Sequence, residues 1–169
     1  MRGNLVRLVA AALLGTIRIA MLVTLALGLG SLTAPEAQAQ VPFKGTLQGQ
    51  ETDLVQGTHI LVEGTVTGMA TQLGRFTMTY ALTVSLPAGT ATGSAELTAA
   101  NGDVIFTTLV GLGVPTDTPG VNRIVEINTI TGGTGRFAGA QGSFVVERLL
   151  DLTTQPAPTF GSFQGTITK

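Results

Sequence analysis

From Arg75 to Leu86 the chain alternates between apolar and polar residues without interruption. Phe76, Met78, Tyr80, Leu82, Val84 and Leu86 fall on one side, and Arg75, Thr77, Thr79, Ala81, Thr83 and Ser85 on the other. Side chains of a strand point to opposite faces with period two, whereas a helix of this sequence would carry apolar groups all round. The segment is therefore a strand with one face made for a core. Pro87-Ala-Gly89 supplies the turn that ends it. Further on, Asn101-Gly102 separates Thr90–Ala100 from Asp103–Val114. Asn-Gly is the strongest short hairpin signal and favours a two-residue type I′ turn. Such a turn pairs Ala100 with Asp103 and sets Leu97 opposite Phe106.

Comparable β-rich runs are Val41–Gln50, His59–Met69, Val121–Thr131, Gly142–Leu152 and Thr159–Thr168. With the three above they make eight strands, joined by Gly-, Pro- and Thr-rich connections such as Pro115–Gly120 and Gln155–Pro158. Short strands at regular spacing, with no room for crossover helices, predict an all-β, antiparallel architecture. Eight strands suffice to close a barrel whose interior is filled by side chains or holds one small ligand. An outer-membrane barrel requires apolar outward bands and aromatic girdles. One Tyr, no Trp and seven Phe do not supply them, so no stable membrane insertion of the barrel is expected.

Between two of these runs lies the densest glycine segment, Ile127–Phe144, with Gly132, Gly133, Gly135, Gly139 and Gly142. Its Gly133-Thr-Gly135-Arg-Phe-Ala138 matches the dinucleotide fingerprint, and Asp151 stands near the position of a ribose-binding acid. That chemistry needs a parallel sheet built from successive βα units. Only 34 residues follow Gly135, and no such unit precedes or follows it. The segment instead resembles the signature of the allene oxide cyclase/dirigent superfamily, Gly-Gly-[Ser/Thr]-Gly-x-Phe, in Gly132, Gly133, Thr134, Gly135, Arg136 and Phe137. Ala70–Thr77 and Gly161–Thr168 are similar to segments of bacterial secreted members. The resemblance implies an eight-stranded antiparallel β-barrel of the allene oxide cyclase type. It also implies an apolar substrate or intermediate steered by shape. Dirigent proteins carry Ala-Arg-Gly shortly after the signature, where this chain has Ala140, Gln141 and Gly142. The arginine implicated in dirigent catalysis is thus absent from that position.

The N-terminus reads as a leader. Arg2 and Arg7 precede the apolar runs Leu8–Ile17 and Ile19–Leu32, broken by Arg18, and Ala37-Gln38-Ala39 forms a cleavage site. A retained membrane anchor is the alternative, but the longer uninterrupted run falls short of the roughly 20 residues that span a bilayer. Residues 1–39 are therefore expected to be a cleaved signal peptide and 40–169 a single barrel domain, secreted or periplasmic. The leader holds three of the nine basic residues and one of the ten acidic ones, leaving the domain at a formal −3. That balance offers nothing to nucleic acid, which is bound by clustered Lys and Arg. There is no Cys, so an exported fold must stand on its core alone, without disulfides or thiol chemistry.

His59 is the single histidine, too little for a His-based metal site, and no metal or cofactor motif is present. Chemistry must then come from charges placed within strands: Glu63, Glu96, Arg123, Glu126, Glu147 and Arg148. If the Gly-rich loop centres on Phe137, Glu126 lies opposite Arg148, Asn128 opposite Val146 and Ile130 opposite Phe144. The Glu126–Arg148 pair then shares a face with Ile130 and Phe144, and a lumenal ion pair there would mark a polar ligand contact. The same two residues facing solvent would be an ordinary cross-strand pair. Tyr80, the only phenol, is a core residue or a general acid. Arg136 is an anion-recognising loop residue, a carbonyl cap or a solvated side chain, and Phe137 plugs the barrel end. The ligand-binding candidates are Glu126, Arg148, Tyr80 and Arg136. The expected function is binding of a small apolar molecule; the alternative is a cyclase/dirigent-like enzyme steering cyclisation or coupling of an apolar intermediate. A structural, self-associating homo-oligomer is the third possibility. An open pocket with inward Glu or Arg supports the first two, and a filled core the third.

Overall fold

The computed structural model describes residues 39–168. All but the last residue of the expected leader lies outside them. Eight antiparallel strands run β1 (Gln40–Gln56), β2 (His59–Ala70), β3 (Gly74–Ser85), β4 (Thr90–Ala99), β5 (Val104–Pro115), β6 (Val121–Gly133), β7 (Gly142–Asp151) and β8 (Ala157–Thr168). Each pairs with its sequence neighbour, and β1 pairs with β8, closing the barrel. Closure removes both sheet edges. Among the described residues the only helical element is the 3₁₀ turn Gly135–Phe137 within the Gly-rich connection.

Alternation places every second residue inside. Phe43, Leu47 and Glu51 of β1 are buried with Phe76, Met78, Tyr80 and Leu82 of β3. The Thr-rich partners of the β3 residues face out. Bulky inward residues commonly sit across from glycine: Phe76 from Gly68, Leu82 from Gly93 and Phe144 from Gly165. A Cβ on any of these glycines would collide with the neighbouring strand. Large side chains opposite none at all are how a narrow barrel accommodates its interior.

The two ends differ. The end that carries the β2–β3, β4–β5 and β6–β7 connections is filled. Phe43, Phe144 and Phe163 meet with ring centroids 5.0–5.2 Å apart, and Phe76 touches Phe163 at 6.0 Å. Ile105, Ile130 and Ile167 are buried beside them. Phe137, folded in by the 3₁₀ turn, is fully buried and plugs this end as the sequence suggests. The opposite end, with the β1–β2, β3–β4, β5–β6 and β7–β8 connections, is open.

Two registers differ from the sequence reading. The β4–β5 turn is not type I′, because Gly102 takes positive φ (88°) while Asn101 does not. Gly102 N–H donates to Ala99 O and Ala99 N–H to Asp103 O, a three-residue loop with a glycine bulge. The added residue shifts the pairing by one, so Leu97 faces Ile105, and Phe106 pairs with Glu96 on the outer wall. The β6–β7 pairing is displaced by two: Glu126 opposes Val146, Asn128 opposes Phe144, Ile130 opposes Gly142, and Arg148 opposes Ile124. A shift of two preserves the face, so Glu126 and Arg148 still share the inside as diagonal neighbours. β1 also runs on past Gln50 to Gln56, because β2 stays paired with it to the turn.

Candidate functional site

Where the phenylalanine packing stops, four inward residues from four strands meet: Glu51 of β1, Tyr80 of β3, Glu126 of β6 and Arg148 of β7. Each has a glycine across the ladder. Glu51 and Tyr80 both pair with Gly64, Glu126 with Gly111 and Arg148 with Gly161. A Cβ on Gly64 would strike the Tyr80 ring, and one on Gly111 would come within 2.7 Å of Glu126 Cγ. These glycines create the space in which long polar side chains lie across the lumen.

Arg148 is the hub. Its Nε donates to Glu126 Oε2 at 3.2 Å and its Nη2 to Glu126 Oε1 at 3.0 Å, a bidentate fork that fixes the plane of both groups. Its Nη1 donates to Glu51 Oε2 at 2.7 Å and to Thr159 Oγ1 at 3.1 Å. Tyr80 O–H donates to the same Glu51 Oε2 at 2.6 Å, and its ring lies 5.3 Å from the guanidinium carbon. The side chains of Arg148, Glu51 and Glu126 are 3–5% exposed, so the pair faces the lumen rather than solvent. Burial is the largest effect and disfavours the guanidinium charge, but Glu126, then Tyr80 and Glu51, together outweigh it, and the Arg148 pKa is raised. The Tyr80 pKa is also raised, first by burial and then by the Glu51 and Glu126 charges, with Arg148 opposing in part. The phenol is a proton donor held in its neutral form.

The polar floor opens onto a cavity of about 240 Å³ at the open end. Its walls include Ile60, Val62, Leu82, Val84, Ile124 and Leu150, and Asp53, two residues beyond Glu51, joins the lining. The Oδ1 of Asp53 is buried with no hydrogen-bond partner. Burial, then repulsion from Glu51, raises the Asp53 pKa, with Arg148 and Gln155 working the other way. A larger depression of about 710 Å³ lies on the outer wall between Lys44, Met69 and Gln164, but it is shallow and holds none of the buried charges.

Three of the four sequence candidates thus converge. Arg136 does not join them. At the filled end its Nη2 donates to Leu73 O at 3.3 Å, its Nε lies 3.7 Å from Asp103, and its guanidinium stacks 4.9 Å from the Phe137 centroid. It is a carbonyl cap tying three connections together. Arg123 and Glu147 form an exposed pair on the outer wall at 2.7 Å, and Glu63, Glu96 and His59 are also exposed. Glu51 is the residue the sequence reading passes over. The signal for it was available, since Phe43, Leu47 and Glu51 continue one period-two face beyond the point where the strand was ended. Asn128, fully buried below Glu126 and accepting from Thr107 Oγ1 at 3.0 Å, is a second polar group that sequence reasoning assigned no role.

No known protein-family model matches the chain, and no curated protein matches it in sequence. The barrel is similar to the solved structure of a pterocarpan synthase dirigent protein, with a TM-score of 0.55 over 82% of this chain and 94% of that one. At 9% sequence identity the likeness is one of fold: this is a dirigent-like eight-stranded barrel. Gln141 is exposed at the filled end, where its backbone N–H donates to Thr168 Oγ1. The buried guanidinium among the described residues is that of Arg148.

Proposed function

We propose that the chain is an exported barrel that holds a small, mostly apolar molecule in the open half of its lumen. One observation carries the reading: the interior is packed with phenylalanine at one end and left as an apolar-walled cavity with a hydrogen-bonding floor at the other. Enclosed, apolar spaces with a few fixed polar groups are what small-molecule sites look like. A barrel with a purely structural role gains nothing from a buried charge cluster, which costs more desolvation than a packed apolar core. The test fills the space. Val62→Trp and Leu82→Trp each project an indole into the cavity. Mass spectrometry of organic extracts of the purified wild type should show a small molecule that the filled variants lack. Identical extracts, together with no response of Tyr80 fluorescence to a panel of apolar compounds, would sink the reading. Export is tested separately by N-terminal sequencing of the protein recovered outside the cytoplasm, which should begin at or within a few residues of Gln40. A product that retains Met1 would contradict it.

A second reading, in which the barrel steers a reactive apolar intermediate, draws support from the 2.6 Å hydrogen bond between Tyr80 and Glu51, the latter lining the cavity. A carboxylate at the cavity wall, braced by a neutral phenol and a guanidinium, is able to exchange a proton with a bound molecule, with the phenol behind it as its hydrogen-bond partner. Tyr80→Phe separates the two readings. Pure binding changes little beyond affinity, whereas a steering role loses turnover while binding persists.

A further inference from the structure

The charges around the cavity do not balance. Glu51, Asp53 and Glu126 line it, and Arg148 is the only cation to do so among the described residues. Lys44, Arg75 and Arg123 are exposed, His59 faces outward at the rim, and Arg136 is committed to Leu73 O at the other end. The geometry of Arg148 adds to the imbalance. Its bonds to Glu126, Glu51 and Thr159 occupy all three nitrogens, and none reaches Asp53. Two acceptors therefore remain on one face of β1. Glu51 places its bonds to Tyr80 and Arg148 on Oε2, which leaves Oε1 to the cavity it lines. Asp53 Oδ1, two residues nearer the mouth, has no hydrogen-bond partner. A carboxylate oxygen withdrawn from water without a donor, as Asp53 Oδ1 is, is costly, and an incoming positive charge that brings N–H groups offsets that cost.

We propose that the cavity takes a small organic cation, a protonated amine on an apolar body. Its ammonium sits between Glu51 and Asp53, and its hydrocarbon lies against Val62, Leu82 and Ile124. The inference rests on the lumen-binding reading above and names its ligand class. An ammonium has three donors and no acceptor, which suits two carboxylate oxygens. A carboxylate or phosphate ligand would meet an uncompensated negative wall.

Benzylamine, benzyl alcohol and benzoate share a ring and differ in the charge of the head, so isothermal titration of the purified protein with each isolates that term. Benzylamine should bind at least tenfold more tightly than benzyl alcohol, with benzoate weakest. Asp53→Asn, at a half-buried rim position, should weaken benzylamine about tenfold and leave benzyl alcohol within about twofold. Leu82→Trp should abolish both. Benzyl alcohol or benzoate binding as tightly as benzylamine overturns the cation inference while leaving lumen binding intact. Failure of all three to bind overturns both. Benzylamine binding that ignores Asp53→Asn and Leu82→Trp places the cation on the outer surface and also overturns the proposal.

Discussion

Removing the Arg148 guanidinium should be among the most damaging single changes available in this barrel. Arg148→Met keeps the stem volume but deletes four hydrogen bonds. Both oxygens of Glu126 lose their donors, and Glu51 keeps only Tyr80. Breaking a buried pair from one side costs about 3–5 kcal/mol, because the other charge stays buried and uncompensated. Against a usual stability of about 5–15 kcal/mol, that is a large share. Glu126→Gln retains the shape and one acceptor, so it should cost less. In the double variant the two losses overlap, because each single change already breaks the same fork. Urea melts followed by far-ultraviolet circular dichroism should therefore give a coupling energy above about 1 kcal/mol, as groups in contact do. The outer pair is the internal control. Arg123 and Glu147 join the same two strands as Glu126 and Arg148, at 2.7 Å against 3.0 Å, but their side chains are 58% and 52% exposed. Their coupling should stay below about 1 kcal/mol. Equal, small couplings for the inner and outer pairs would show that Arg148 is not sequestered, and the lumenal site would fall with it.

Gly64→Val should displace the Tyr80 ring, since a Cβ there strikes the ring directly; a shift of Tyr80 fluorescence with the strand content retained is the expected readout, and an unaltered spectrum would contradict the packing. Tyr80 is the only tyrosine, so alkaline ultraviolet titration reports it alone. Its folded pKa is raised, so its contribution to stability is complete below the ordinary value of about 10 and is lost as pH rises further; phenolate should appear only with unfolding. Asp53 also has a raised pKa, so its contribution is present below the unfolded value of 3.8 and lost as pH rises through the folded one. Asp53→Asn should therefore raise the thermal midpoint at neutral pH, with the gain vanishing in acid; a loss at neutral pH would mean that Arg148 and Gln155 favour the carboxylate more than burial and Glu51 oppose it.

The alternation of Arg75–Leu86 and its counterparts was enough to define eight strands and an antiparallel all-β architecture, and the Gly-rich signature added the barrel, but which face of each strand turns inward stayed open. Period two is a local property, written residue by residue and insensitive to what lies across the ladder. Register is not local in that sense. The dipeptide Asn101-Gly102 marked a hairpin but left its type open, and the three-residue form with Gly102 at positive φ turned Phe106 outward. The Gly-rich loop before β7 displaced its register by an even number, so Glu126 and Arg148 still share a face with Ile130 and Phe144 despite the wrong pairing, but only the closed barrel decided that this face is the lumen. Glu51 continues the period-two face of Phe43 and Leu47, but that the strand runs on through it to Gln56 was decided by the pairing of β1 with β2. The convergence of Glu51, Tyr80, Glu126 and Arg148 was decided by tertiary structure alone. These residues stand on four strands up to 97 positions apart, and no spacing in the sequence brings them together. Closure does so, by pairing the first strand with the last and turning one face of the sheet into a shared interior where four side chains reach one point.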